Sequence, residues 1–121
     1  MHNSLETCTL VVPAQAKFAR MVRMLASNVA SLQSFTLEEI EDARMAAEEA
    51  FIMSCASGQE ELKLSFSMLD DQLVMQFSLG KLSIEEQMGE SYEYASLILE
   101  AVCASFTQDE SGLKLVMPAR E

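Results

Sequence analysis

Residues Thr36 to Gly58, TLEEIEDARMAAEEAFIMSCASG, decide the fold. Thr36 can accept from the backbone N–H of Glu39, and the Glu39 carboxylate can reach back to the N–H of Thr36, which makes a capping box. Glu38, Glu39, Glu41 and Asp42 crowd the first turns, where the positive end of the helix dipole favours acids. Ile40, Ala43, Ala47, Ala50, Phe51 and Ser54 then recur at steps of three and four, a small-residue stripe that admits close packing. Gly58 stops the helix. The stretch predicts the central helix of a two-layer α/β domain.

The flanks fit that reading. Leu5 to Val12 reads as a strand ended by Pro13, which cannot donate to a ladder. A helix follows over about 14–32, with Phe18, Met21, Val22, Leu25, Val29 and Leu32 as its apolar face. The linker 33–35 is short, so this helix neighbours the central one. Lys17, Arg20 and Arg23 make its basic cluster.

Beyond Gly58 the period changes to two. Leu62, Leu64, Phe66 and Met68 alternate with Glu61, Lys63, Ser65 and Ser67, and after a turn at Asp70–Asp71 the alternation resumes through Leu73, Met75, Phe77 and Leu79. The pair predicts a β-hairpin with one wet face. Ser83 and Glu86 can cap a short helical turn that Gly89 ends. A further helix from Ser91 puts Tyr94, Leu97, Ile98, Ala101, Val102 and Ser105 inward. Thr107 to Gly112 reads as a polar turn, and Leu113, Leu115 and Met117 as a last strand ended by Pro118. One wet sheet face with amphipathic helices implies helices on one side only.

Composition narrows the chemistry. A chain of 121 residues, half of them apolar, suits one domain with one core. Eight basic against nineteen acidic side chains give a net charge of −11. That argues against nucleic acid, whose affinity comes largely from Lys and Arg, and suits a basic protein partner. No run reaches the roughly 18–20 apolar residues of a membrane span, and the N-terminal residues show no signal-peptide pattern. Cys8, Cys55 and Cys103 have no metal-ligand spacing and suggest buried, reduced thiols of a cytoplasmic protein. The one histidine, His2, leaves no base for a nucleophilic triad or a Cys/His zinc site. Gly58, Gly80, Gly89 and Gly112 are too far apart for a phosphate-cradling loop. Glu48–Glu49 is the acidic pair nearest an inner helix face, a position usually solvated. The nine methionines fit an adaptable surface or, more simply, core gaps at Met68, Met75 and Met117.

Three stretches carry a family resemblance: LVVPAQAKFARMVR (10–23), FTLEEIEDARMAAEEAF (35–51), and SLILEAVCASF (96–106) followed by SGLKLVMP. Together they resemble the anti-sigma-factor serine kinases of bacterial partner switching, within the histidine-kinase-like (GHKL) ATPase superfamily, over about 10–117. The resemblance implies a Bergerat-type two-layer sandwich, with helices on one face of a mixed, mostly antiparallel sheet, spanning 1–121 as one degenerate domain. It also implies a site for ATP and Mg²⁺, against which the residues can be compared.

In the family's first box a Glu is followed four residues later by an Asn that ligates magnesium. Glu49 stands at the Glu and Met53 at the Asn, and a thioether is a poor ligand for a cation that wants oxygen. Leu79 stands where an Asp should receive the adenine amino group. Glu93 and Ala95 stand where glycines should form the phosphate lid. The resemblance therefore implies a pseudo-ATPase without catalytic, cofactor-binding or metal residues, with Glu49 as a vestige. Such a module would grip a sigma factor or an antagonist protein, using Glu38, Glu41 and Asp42 against a basic partner, with a homodimer as the family's assembly. The alternatives are a divergent serine-protein kinase that uses ATP and Mg²⁺, and a structural or dimerisation unit bearing another small ligand.

Overall fold

Thr36 and Glu39 close the capping box in full, with Glu39 N donating to Thr36 Oγ1 at 3.1 Å and Thr36 N to Glu39 Oε1 at 2.9 Å. The computed structural model describes residues 6–119. Its elements in chain order are β1 (Glu6–Pro13), α1 (Ala19–Ser31, entered through a 3-10 turn at Ala16–Phe18), α2 (Leu37–Cys55), β2 (Glu61–Leu69), β3 (Gln72–Phe77), α3 (Ile84–Met88), α4 (Glu90–Val102), β4 (Ser105–Asp109) and β5 (Gly112–Met117). His2 and the expected strand start at Leu5 lie outside the described residues.

The five strands form one sheet in the order β1-β2-β3-β5-β4. One face buries Leu62, Leu64, Phe66, Leu73, Met75, Phe77, Leu113, Leu115 and Met117 beneath the helices. The other face carries Thr9, Ser65, Gln76, Lys114 and Thr107, which lie opposite one another in a single row across all five strands. This is the expected two-layer sandwich. Within the helical layer α2 packs against both α1 and α4. Its alanines Ala43, Ala46, Ala47 and Ala50 are fully buried, and side chains that short let neighbouring helices come close. Gln33, in the α1–α2 linker, donates Nε2 to the carbonyls of Asp70 and Gln72 at 3.1 and 2.5 Å, and so ties the helical layer to the β2–β3 turn.

Four expectations are corrected. The sheet, which the resemblance implies to be mixed and mostly antiparallel, is antiparallel at every described pairing. The last pairings are set by β4, a strand over residues expected to divide between the end of the last helix, at Ser105, and a polar turn from Thr107. The single long crossover helix α4 delivers β4 in the direction of β3, and the β4–β5 hairpin then reverses the chain, so β5 enters antiparallel beside β3. The strand is easy to miss because it is a short edge whose residues are all exposed except Phe106. Its turn is held by the Asp109 carboxylate, which accepts from Ser111 N at 2.8 Å and Ser111 Oγ at 2.6 Å. The same hydrogen bonds lower the Asp109 pKa.

Second, α4 is rotated from its expected phase. Ala95 and Leu99 are buried, Tyr94, Leu97 and Ala101 face solvent, and Ser105 belongs to β4. Third, α1 buries Ala19, Val22, Ala26, Val29 and Ala30, while Met21 and Leu32 are exposed. In both helices the small residues turn inward, because they face the crowded centre of the layer. Fourth, among the three free thiols Cys8 is exposed and Cys55 half-buried; Cys103 alone is buried, and burial pushes its thiol up to about 12.

Thr36→Ala removes one half of the capping box and should lower stability by about 1 kcal/mol. Phe51→Ala, in the fully buried centre of α2, should cost about 3–5 kcal/mol. Urea unfolding followed by circular dichroism measures both, and equal losses would show that the cap and the core contribute alike.

Candidate functional site

The resemblance points to the C-terminal half of α2, the segment after β3, and the start of α4. Glu49 lies half-buried on α2. Its carboxyl pKa is raised, first by burial and then by the neighbouring Glu48 charge. Glu48 itself pairs with Arg23 of α1 at 3.0 Å, which draws one of the three expected basic-cluster residues into the α1–α2 seam. The acidic pair is thus split: one member clamps two helices, and the other is left partly desolvated.

Met53, one turn beyond Glu49, is 0% exposed and belongs to the same buried cluster as Ile84, Ala95 and Leu99. Ala95 is 1% exposed. Leu79 is half-buried and packed against that cluster. Glu93, by contrast, is exposed on α4. The structure therefore brings Met53 and Ala95 into the core and leaves Glu93 outside it. A buried thioether offers no oxygen to Mg²⁺, and among the described residues no group of three or more His, Cys, Asp or Glu side chains could hold a metal ion.

Ser57 organises the segment after β3, and sequence reasoning missed it. Its hydroxyl donates to the Ser54 carbonyl at 2.6 Å and accepts from Gly80 N at 2.7 Å, while its carbonyl accepts from Leu82 N at 3.0 Å. Residues 80–82 are thereby fastened onto the end of α2. The approach is close enough that a Cβ on Gly80 would collide with the Ser57 carbonyl. The one signal in the sequence was the serine just before the helix-stopping Gly58, a pair read only as a helix end. At the other side, Ser83 caps α3 by accepting from Glu86 N at 3.2 Å, as expected. Gly89 takes φ 60° between α3 and α4, a conformation that glycine adopts freely.

A concavity of about 400 Å³ opens beside this segment. Leu79, Gly80, Ile84 and Tyr92 line it together with the carboxylates of Glu85, Asp109 and Glu110, and neither Met53, Ala95 nor any Lys or Arg does. Phosphoryl transfer relies on cations and backbone donors around the phosphates. Three carboxylates without a cation present the opposite field.

No family model matches the chain. The serine-protein kinase RsbW of Bacillus subtilis (strain 168) is 31% identical over 78 residues, which is 60% of this chain and 49% of that protein. The chain thus spans about half the length of that curated relative.

The raised Glu49 pKa has a pH signature. In the unfolded chain the carboxyl loses its proton near its ordinary value of 4.5, while the folded chain holds the proton to higher pH. Stability is therefore lost as pH rises through that window and does not recover above it. Glu49→Gln removes the penalty. Its melting temperature should exceed wild type at neutral pH and converge with it below about pH 4.5; a gap of the same size at both pH values would exclude Glu49 as the source.

Proposed function

We propose that the chain is a non-catalytic regulatory module of the anti-sigma-factor type: a single degenerate histidine-kinase-like ATPase domain over 1–121 that binds a regulatory protein without Mg·ATP. The observation that carries this reading is Met53, fully buried one turn after Glu49, at the position where the resembled family needs an oxygen ligand. Similarity to a serine-protein kinase over 78 residues supports the kinship. Partner binding needs surface and fold, and both persist without the nucleotide. The partners on this reading are a sigma factor or an antagonist of the anti-sigma factor, met in the cytoplasm, with the module paired as a homodimer. The exposed acids Glu38 and Glu41 at the start of α2 suit a basic partner, although Glu41 is partly engaged by Arg44. No helix among the described residues is long and apolar enough to cross a membrane.

A divergent serine-protein kinase is the second reading, favoured by the name of the relative and by the retained Glu49. Affinity capture of the tagged full chain from its native cell, in parallel with Mg·ATP and with EDTA, separates the two. A sigma factor or an antagonist-type protein should be recovered in equal yield under both conditions. Recovery only with Mg·ATP, together with phosphorylation of the captured protein on serine, would favour the kinase. Recovery of neither kind of protein would overturn the proposal.

A further inference from the structure

The outward face of α4 is apolar where the fold has no need of it. Tyr94 is 68% exposed and Leu97 65% exposed, and Ala101 continues the same ridge at steps of three and four. Packing uses the opposite side of the helix, at Ala95 and Leu99. A helix with two apolar faces and one packed neighbourhood has one face to spare. That spare face is also strongly acidic: Glu93 and Glu100 flank Leu97 one turn to either side, and both are exposed. The whole run from Ile84 to Val102 holds five Glu and no Lys or Arg.

We infer that the Tyr94–Leu97–Ala101 ridge of α4, with Glu93 and Glu100 beside it, is the docking surface for a basic amphipathic helix of a different protein. This inference rests on the protein-binding reading above and gives that partner its chemistry. The geometry sets the match: an apolar ridge about two turns long accepts a helix with apolar residues at the same spacing. Lys or Arg on the partner's flank then meets Glu93 and Glu100, and the field of the unopposed acids on α3 and α4 steers the encounter.

A second copy of this chain does not fit. Two α4 faces brought together would set Glu93 and Glu100 against their own kind. A complementary surface within the chain is the start of α1 with the 3-10 turn before it, where Arg20 and Lys17 lie with the exposed Met21 and Met24. Docking α1 of one copy on α4 of another joins two different patches, an open-ended contact that builds chains of molecules rather than a closed pair.

Fluorescence anisotropy with the full chain tests the assignment. The probe is a labelled Leu/Lys peptide of about 15 residues, long enough to fold as an amphipathic helix on binding, with an otherwise identical Leu/Glu peptide as control. Wild type should bind the Leu/Lys probe and not the control. Leu97→Glu adds a negative charge, so it should strengthen a purely electrostatic contact; at the proposed surface it should weaken binding at least about tenfold. The pair Glu93→Lys with Glu100→Lys should do the same. Glu60→Lys with Glu61→Lys changes net charge equally at exposed positions off α4 and should have less than about a twofold effect. Equal weakening by both charge pairs, or no effect of Leu97→Glu, would overturn the inference.

If the protein recovered by affinity capture binds the Leu97→Glu variant as tightly as wild type, the α4 assignment falls while the protein-binding reading stands. If nothing of the expected kind is captured, that reading falls, and the peptide measurement alone decides α4. A self-associated mass in light scattering that Leu97→Glu abolishes would identify the occupant as a second copy and overturn the choice of a different protein.

Discussion

Everything in the helical layer depends on how close other elements can come to α2. Four fully buried alanines, Ala43, Ala46, Ala47 and Ala50, let α1 and α4 approach from the sides, and Phe51 and Met53 fill deeper space within the core. Small side chains bury little area each, so this arrangement gains from close backbone approach and dense packing rather than from large anchors. It also constrains the neighbours. On their buried sides α1 and α4 set Ala26, Ala30 and Ala95 among Val22, Val29 and Leu99, while Met21, Met24, Tyr94 and Leu97 stay exposed.

Sequence alone revealed the parts whose signals are local. The capping box at Thr36 and Glu39, the alternation through β2, β3 and β5, the Asp70–Asp71 turn and the Ser83 cap all depend on residues a few positions apart. The phase of α4 was not legible, because Leu97 and Leu99 are the same residue type and Tyr94 is larger than Ala95, so an inward stripe of large residues takes in Tyr94 and Leu97 instead of Ala95 and Leu99. Only the small-residue centre of the layer reverses that choice. β4 was hidden because an exposed edge strand needs almost no apolar residues.

The candidate site shows the same division. Glu49 and Met53 could be named from the resemblance, and their placement one turn apart follows from helix geometry. Their environments could not be named: Glu49 is only partly desolvated, whereas Met53 is wholly enclosed. The tether from Ser57 to residues 80–82 was invisible because it joins a helix end to a loop more than twenty residues later through one hydroxyl and three backbone groups. It matters to the functional reading, since it draws the segment after β3 against α2 on the side where the resembled family holds its nucleotide. The nearby concavity gathers carboxylates and no cation.

Isothermal titration of the full chain with ATP in the presence of Mg²⁺ is the most direct test of whether this side of α2 has ceased to be a nucleotide site. No heat beyond dilution is expected up to millimolar ATP, and none with Glu49→Gln. Saturable binding at micromolar affinity that requires Mg²⁺ and is lost with Glu49→Gln would contradict that expectation and restore α2 as the wall of a working site.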